Sequence, residues 1–181
     1  MFIDIDTLRI FFEEPSREFN VREVSRILKI SPATASKELK ELAKGNFLKE
    51  RKERVFILYK ANLESNDYRD LKLYYNLRKL RESGLLDALN RFYLKPTITL
   101  FGSAARGLDT ETSDFDLIII SEKTDSFDTK RFEEKINRKL QLIAVSDVKE
   151  LKNEYLINNV LNGIVVQGNV KWTWKNALKK V

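Results

Sequence analysis

Leu100-Phe101-Gly102-Ser103-Ala104-Ala105-Arg106-Gly107, followed at short range by Ser113-Asp114-Phe115-Asp116-Leu117, is the stretch on which the reading of this chain turns. The apolar run Ile98-Thr99-Leu100-Phe101 predicts a buried strand that stops at Gly102-Ser103. Phe115 to Ile120 predicts a second buried strand with two aspartates at its head. Side chains alternate across a strand, so Asp114 and Asp116 fall on one face, roughly 7 Å apart along the backbone. Two carboxylates so placed repel one another unless a cation lies between them. Hard oxygen ligands suit Mg2+, which keeps some waters and takes further ligands from substrate phosphates. Gly102 has no side chain, so a phosphate can approach the backbone amides, and Ser103 adds a hydroxyl at the start of a short helix.

Gly-Ser-(x)3-Gly followed by Ser-Asp-x-Asp-Leu resembles the signature of the DNA polymerase β-like nucleotidyltransferase superfamily, in its minimal branch. The likeness extends to Arg106 and covers roughly Leu85 to Gly168. It implies a small mixed-sheet α/β domain and Mg2+-dependent transfer of a nucleoside monophosphate from an NTP, with ATP the expected one, to a protein or nucleic-acid acceptor. It also implies the residue roles. Asp114 and Asp116 would be the catalytic, metal-holding pair, and Gly102, Ser103 and Arg106 would hold the nucleotide. In the minimal branch, acceptors include hydroxyls on partner proteins, as in toxin-antitoxin pairs with HEPN-type partners, which would make this chain an antitoxin-like modifier. The family pattern places a third carboxylate at the start of the third strand. In Lys139-Leu140-Gln141-Leu142-Ile143 that position is Gln141, an amide that cannot act as a base. Asp109, Glu111 and Asp147 are the other nearby carboxylates, all in predicted loops.

The chemistry available is narrowed by two absences. The 181 residues contain no cysteine and no histidine. Disulfides, thiolate catalysis and cysteine-ligated zinc are therefore excluded, as is the commonest general base. The net charge of +6 is modest, and residues 1–65 carry 13 Lys/Arg against 11 Asp/Glu, so overall charge does not argue for nucleic acid. No apolar run approaches the ~20 residues that cross a bilayer, and no signal pattern opens the chain, so the expected location is cytoplasmic, with no membrane partner.

The N-terminal third predicts three helices and a hairpin. Ile5, Leu8, Phe11 and Phe12 share a helical face, and Pro15 ends that helix. Asn20 with Glu23 forms a capping box ahead of Val24, Ile27 and Leu28. Ser31-Pro32 starts a third helix that Gly45 stops. On it Ala35, Leu39 and Leu42 face inward, whereas Ala33, Lys37, Lys40 and Lys44 face out. Phe47-Leu48, a charged tip from Lys49 to Arg54, and a strand from Val55 to Tyr59 read as a wing. The segment resembles winged helix-turn-helix domains. Lys37, Lys40 and Lys44 with the wing residues Arg51, Lys52 and Arg54 are the expected contacts to duplex DNA, mostly to phosphate.

Asn66 to Glu82 predicts a helix striped by Leu73, Leu77 and Leu80 with Tyr74 beside it, and Leu85 to Phe92 a shorter one. Further on, helices are expected at Asp128–Lys139 and Leu151–Leu161, and strands at Leu140–Val145 and Ile164–Gln167. Trp172 and Trp174 share one face of an extended tail and read as a core anchor or a homodimer contact. The expected organisation is a winged helix-turn-helix domain (1–65), a helical linker (66–95) and a nucleotidyltransferase domain (96–181), an α/β (α+β) architecture. Two functions fit: a DNA-binding nucleotidyltransferase, or a DNA-binding transcriptional regulator whose second domain is catalytically silent and binds nucleotide or dimerises.

Overall fold

The computed structural model describes residues 5–170. They divide into two units: residues up to 78 together with 106–113, and residues 79–105 together with those from 114 onward.

In the first unit, α1 (Ile5–Glu13) buries Leu8, Phe11 and Phe12 as expected, but Ile5 is 47% exposed and Thr7 and Ile10 complete the inner face. The Thr7 hydroxyl is satisfied there by donating to Glu38 Oε2 at 2.7 Å. A two-residue strand, β1 (Phe19–Asn20), leads into α2 (Val21–Leu28). The Asn20 side chain accepts from the Arg22 and Glu23 amides while the Glu23 carboxylate accepts from the Asn20 amide, so the capping box forms. Val24 is buried, but Ile27 is half-exposed. Ser25 takes the second inward place instead, its hydroxyl donating to the Ile30 carbonyl at 2.7 Å. α3 (Pro32–Lys44) starts at Ser31, whose hydroxyl accepts from the Thr34 amide, and buries Ala35, Leu39 and Leu42.

The wing differs from expectation. Lys49 to Glu53 are not a tip but part of a strand, β2 (Leu48–Glu53), paired antiparallel with β3 (Phe56–Ala61) so that Glu53 faces Phe56. Only Arg54-Val55 turn, with Arg54 in the left-handed region at φ 51. Charged residues can line a ribbon whose side chains face water, because the ladder satisfies the backbone whatever the side chains are. β1 pairs with the other edge of β3, giving the order β1-β3-β2.

α4 (Asn66–Glu82) has the predicted bounds but not the predicted stripe. Leu73 and Leu77 are half-buried and Tyr74 is 52% exposed; the buried positions are Tyr68, Lys72, Asn76 and Leu80, four apart. Lys72 and Asn76 are buried because polar partners meet them. The Lys72 ammonium donates to the Phe12 carbonyl at 2.6 Å and pairs with Asp109 Oδ2 at 3.2 Å. Asn76 Nδ2 donates to Asp109 Oδ1 at 2.8 Å. A hydrophobic period cannot reveal an inner face made of such groups.

The second unit holds α5 (Leu85–Tyr93), β4 (Thr97–Phe101), a 3-10 turn (Ala104–Arg106), β5 (Phe115–Ile120), α6 (Lys130–Ile136), β6 (Leu140–Val145), α7 (Glu154–Leu161) and β7 (Ile164–Gln167). α6 is shorter than predicted, ending where Asn137 turns left-handed at φ 52. α7 begins three residues later than predicted, where the Asn153 side chain caps the Tyr155 amide. The sheet is mixed, in the order β6-β5-β4-β7, with β5 and β6 parallel and the other pairs antiparallel. One face contributes Phe101, Ile118, Ile120, Ile143 and Val145 to a core that includes Leu151, Leu156 and Val160. Leu100, Phe115, Leu117 and Ile119 are buried on the other. Trp172 and Trp174 lie outside the described residues. Among the described residues, no helix is long and apolar enough to cross a membrane.

Candidate functional site

Followed along β5, the sheet face that carries Ile120 and Ile118 changes character at its end, where the next two residues of the same parity are Asp116 and Asp114. Antiparallel pairing sets Phe101, the last residue of β4, opposite Asp116. Gly102 then turns away at φ 74, and a Cβ built on it would lie 2.3 Å from Asp116 Oδ2. Glycine is required there twice, for the left-handed backbone and for the room the carboxylate occupies. Asp116 is half-buried and its carboxyl is held above the usual range, first by burial and second by the charge of Asp114. Asp114 is exposed one residue ahead of the strand. Ser103 is half-buried, and the turn behind it is packed by Ala104 and Ala105. Arg106 is exposed and opens the 106–113 segment that packs with the first unit.

On the other side of Asp116 the parallel ladder sets Gln141. The sequence placed an amide where a third carboxylate was expected, and the register puts that amide beside the second aspartate. The three alternative carboxylates are engaged elsewhere. Asp109 binds Lys72 and Asn76, Glu111 accepts from the Ser16 amide, and Asp147 accepts from the Lys149 amide beyond the far end of β6. Among the described residues no group of three or more His, Cys, Asp or Glu converges to hold a metal. Lys139, which is exposed, immediately precedes this strand.

In the first unit, Lys37, Lys40 and Lys44 are all exposed on α3. A groove of about 670 Å3 between α3 and the wing is lined by Lys40, Lys44, Asn46, Lys49 and Glu50 with Ala43, Leu48 and Ile57. Lys52 and Arg54 are exposed. Arg51 is tied into ion pairs with Glu18 at 2.7 Å and Glu53 at 2.8 Å, which hold its guanidinium well above the ordinary range, the Glu18 contact foremost. Exposed pairs of this kind contribute little to stability.

The Gly102-Ser103 turn and the paired aspartates thus lie together at one end of the small mixed sheet. Residues 82–166 match the family model of the nucleotidyltransferase domain, a span just under half the chain that contains Gly102, Ser103, Asp114, Asp116 and Gln141. No curated protein matches the chain. Among solved structures, reduced HlyU from Vibrio cholerae N16961 is similar at 22% identity over 48% of this chain and 75% of that one, with a TM-score of 0.32. A second structure of HlyU from the same source is similar at 18% identity over 50% and 88%, with a TM-score of 0.31. At these scores neither likeness bears on fold or function.

Proposed function

We propose that the second unit transfers a nucleoside monophosphate from an NTP to a protein or nucleic-acid acceptor, and that the first unit binds duplex DNA. The observation that carries the first half is the convergence of the Gly102-Ser103 turn with Asp114 and Asp116, inside the segment that matches the nucleotidyltransferase domain model. The residues fit one Mg2+, since the donors on this face are the hard carboxylate oxygens of Asp114 and Asp116. Asp114 and Asp116 would hold it. When bound, the ion offsets and orients the charge of the phosphates. The amides after Gly102 and the Ser103 hydroxyl would hold the triphosphate, with Arg106 adding charge. Support for DNA binding comes from the exposed lysines of α3 beside the groove along the wing. A HEPN-type partner with an acceptor hydroxyl and self-association belong to the same proposal, through the family resemblance alone.

The test is calorimetry with Mg2+-ATP. Wild type binds, and Asp116→Asn loses most of that affinity while keeping the fold; unchanged affinity in the variant would remove the site. A second reading, a DNA-binding regulator with a silent nucleotide-binding domain, is favoured by Gln141, since general-base help is worth ~10²–10⁴ in rate. Gln141→Asp discriminates. Labelled NTP transfer by wild type should be slow and should rise in the variant with little change in nucleotide affinity. Vigorous wild-type transfer, no faster in Gln141→Asp, assigns the base's work to another group.

A further inference from the structure

The β5–β6 ladder is parallel and in register from Phe115 opposite Leu140 to Ile120 opposite Val145. The Phe115 amide donates to the Lys139 carbonyl at 2.9 Å, so hydrogen bonding already reaches the residue before β6. Partners in such a ladder project from the same face, and side chains alternate along each strand. Phe115 and Leu140 are 1% and 9% exposed and, as ladder partners, project from one face. By alternation their flanking residues fall on the opposite face: Asp116 on β5 with Asp114 just ahead of it, and Gln141 on β6 with Lys139 just ahead of it. Burial agrees, with Asp116 half-buried and the other three exposed. Carried one residue beyond the ladder, the same register sets Lys139 across from Asp114, as Gln141 lies across from Asp116.

This face carries two carboxylates, one ammonium and one neutral amide. Two-metal sites set their cations ~3.5–4 Å apart, and so much positive charge needs anionic ligands on both sides. Here the β6 side supplies none. We infer that the site takes a single divalent cation, between Asp114 and Asp116, and that the Lys139 ammonium contacts the nucleotide phosphates on the β6 side, giving the positive charge that a second metal ion would carry. The inference rests on the nucleotidyltransferase reading and assigns Lys139 to its substrate contacts. Neighbouring strands lie ~4.8 Å apart, within the reach of a lysine side chain, and lysine binds phosphate as a point charge.

Counting Mn2+ by electron paramagnetic resonance, with a non-hydrolysable ATP analogue at saturation, tests this without turnover. The expected results are one bound Mn2+ per chain, at least tenfold weaker binding of the analogue by Lys139→Met with the Mn2+ count unchanged, and substantial recovery in Lys139→Arg. Position 139 is exposed, so both variants are expected to fold, and their melting curves check it. Two Mn2+ ions in wild type, or analogue affinity in Lys139→Met equal to wild type, overturns the inference. Tighter Mn2+ binding in Lys139→Met without weaker analogue binding also overturns it, because the ammonium then only screens Asp114. These outcomes leave the nucleotidyltransferase reading standing if Asp116→Asn still abolishes binding. Wild type that binds no analogue removes both.

Discussion

Gly102 and Asp116 compete for one volume: a Cβ on the first would lie 2.3 Å from Oδ2 of the second. The turn and the carboxylate are therefore sterically coupled: any side chain at position 102 has to displace that of Asp116. In Gly102→Ala the backbone, at φ 74, adds about 1–2 kcal/mol of left-handed strain to that clash. The variant should melt at lower temperature and lose Mg2+-nucleotide affinity. On an Asp116→Ala background the same change should cost less, leaving only the backbone strain. A double-mutant cycle by urea unfolding checks this; equal costs on both backgrounds would deny the steric coupling.

The raised carboxyl of Asp116 has a sign that can be followed with pH. Its folded-state pKa lies above the ordinary 3.8, so the folded chain favours the protonated form. Stability relative to Asp116→Asn should be unaffected below the ordinary value. It should fall as pH rises from there through the folded-state pKa and stay lower at pH 7. Melting curves in chelator across that window should show the asparagine variant more stable at neutral pH. Added Mg2+ should stabilise wild type and not the variant. A wild type more stable than Asp116→Asn in chelator at pH 7 would contradict the burial and repulsion argument.

Lys72 and Asp109 form an ion pair at 0% and 1% side-chain exposure. Lys72→Met leaves a buried carboxylate whose partner is gone, which typically costs about 3–5 kcal/mol. Lys72→Met/Asp109→Leu removes both charges and should recover most of that loss, since apolar replacement of a buried pair is often neutral or stabilising. Denaturant titrations of the three proteins decide it. A double variant as unstable as the single one would show that the Asn76 and Phe12 contacts, not the pair, hold the segment.

Lys37 and Lys40 are exposed on α3, and two lost phosphate contacts should lower the slope of log K against log[salt] by about 1.8. Fluorescence anisotropy with a labelled duplex over a salt series would measure it. If Lys37→Ala/Lys40→Ala gives the wild-type slope and affinity, the lysine face is merely solvated. Arg51→Ala should matter less than either lysine, because Glu18 and Glu53 already neutralise its charge.

What the sequence by itself determined was whatever depends on neighbours along the chain. The Asn20 capping box, the Ser31 cap, the bounds of α4, β5, β6 and β7, and the Gly102-Ser103 turn between apolar strands were all legible, because caps, turns and strand alternation are local rules. The paired aspartates were legible for the same reason. The tertiary structure decided what depends on residues distant in sequence. Lys72 and Asn76 lie inside α4 where leucines were expected because Asp109, more than thirty residues away, satisfies them, and burial of a polar group follows its partner rather than its hydropathy. Strand register likewise comes from the packing of both sheet faces. Gln141 and Asp116 are 25 positions apart, and only the parallel ladder sets them side by side.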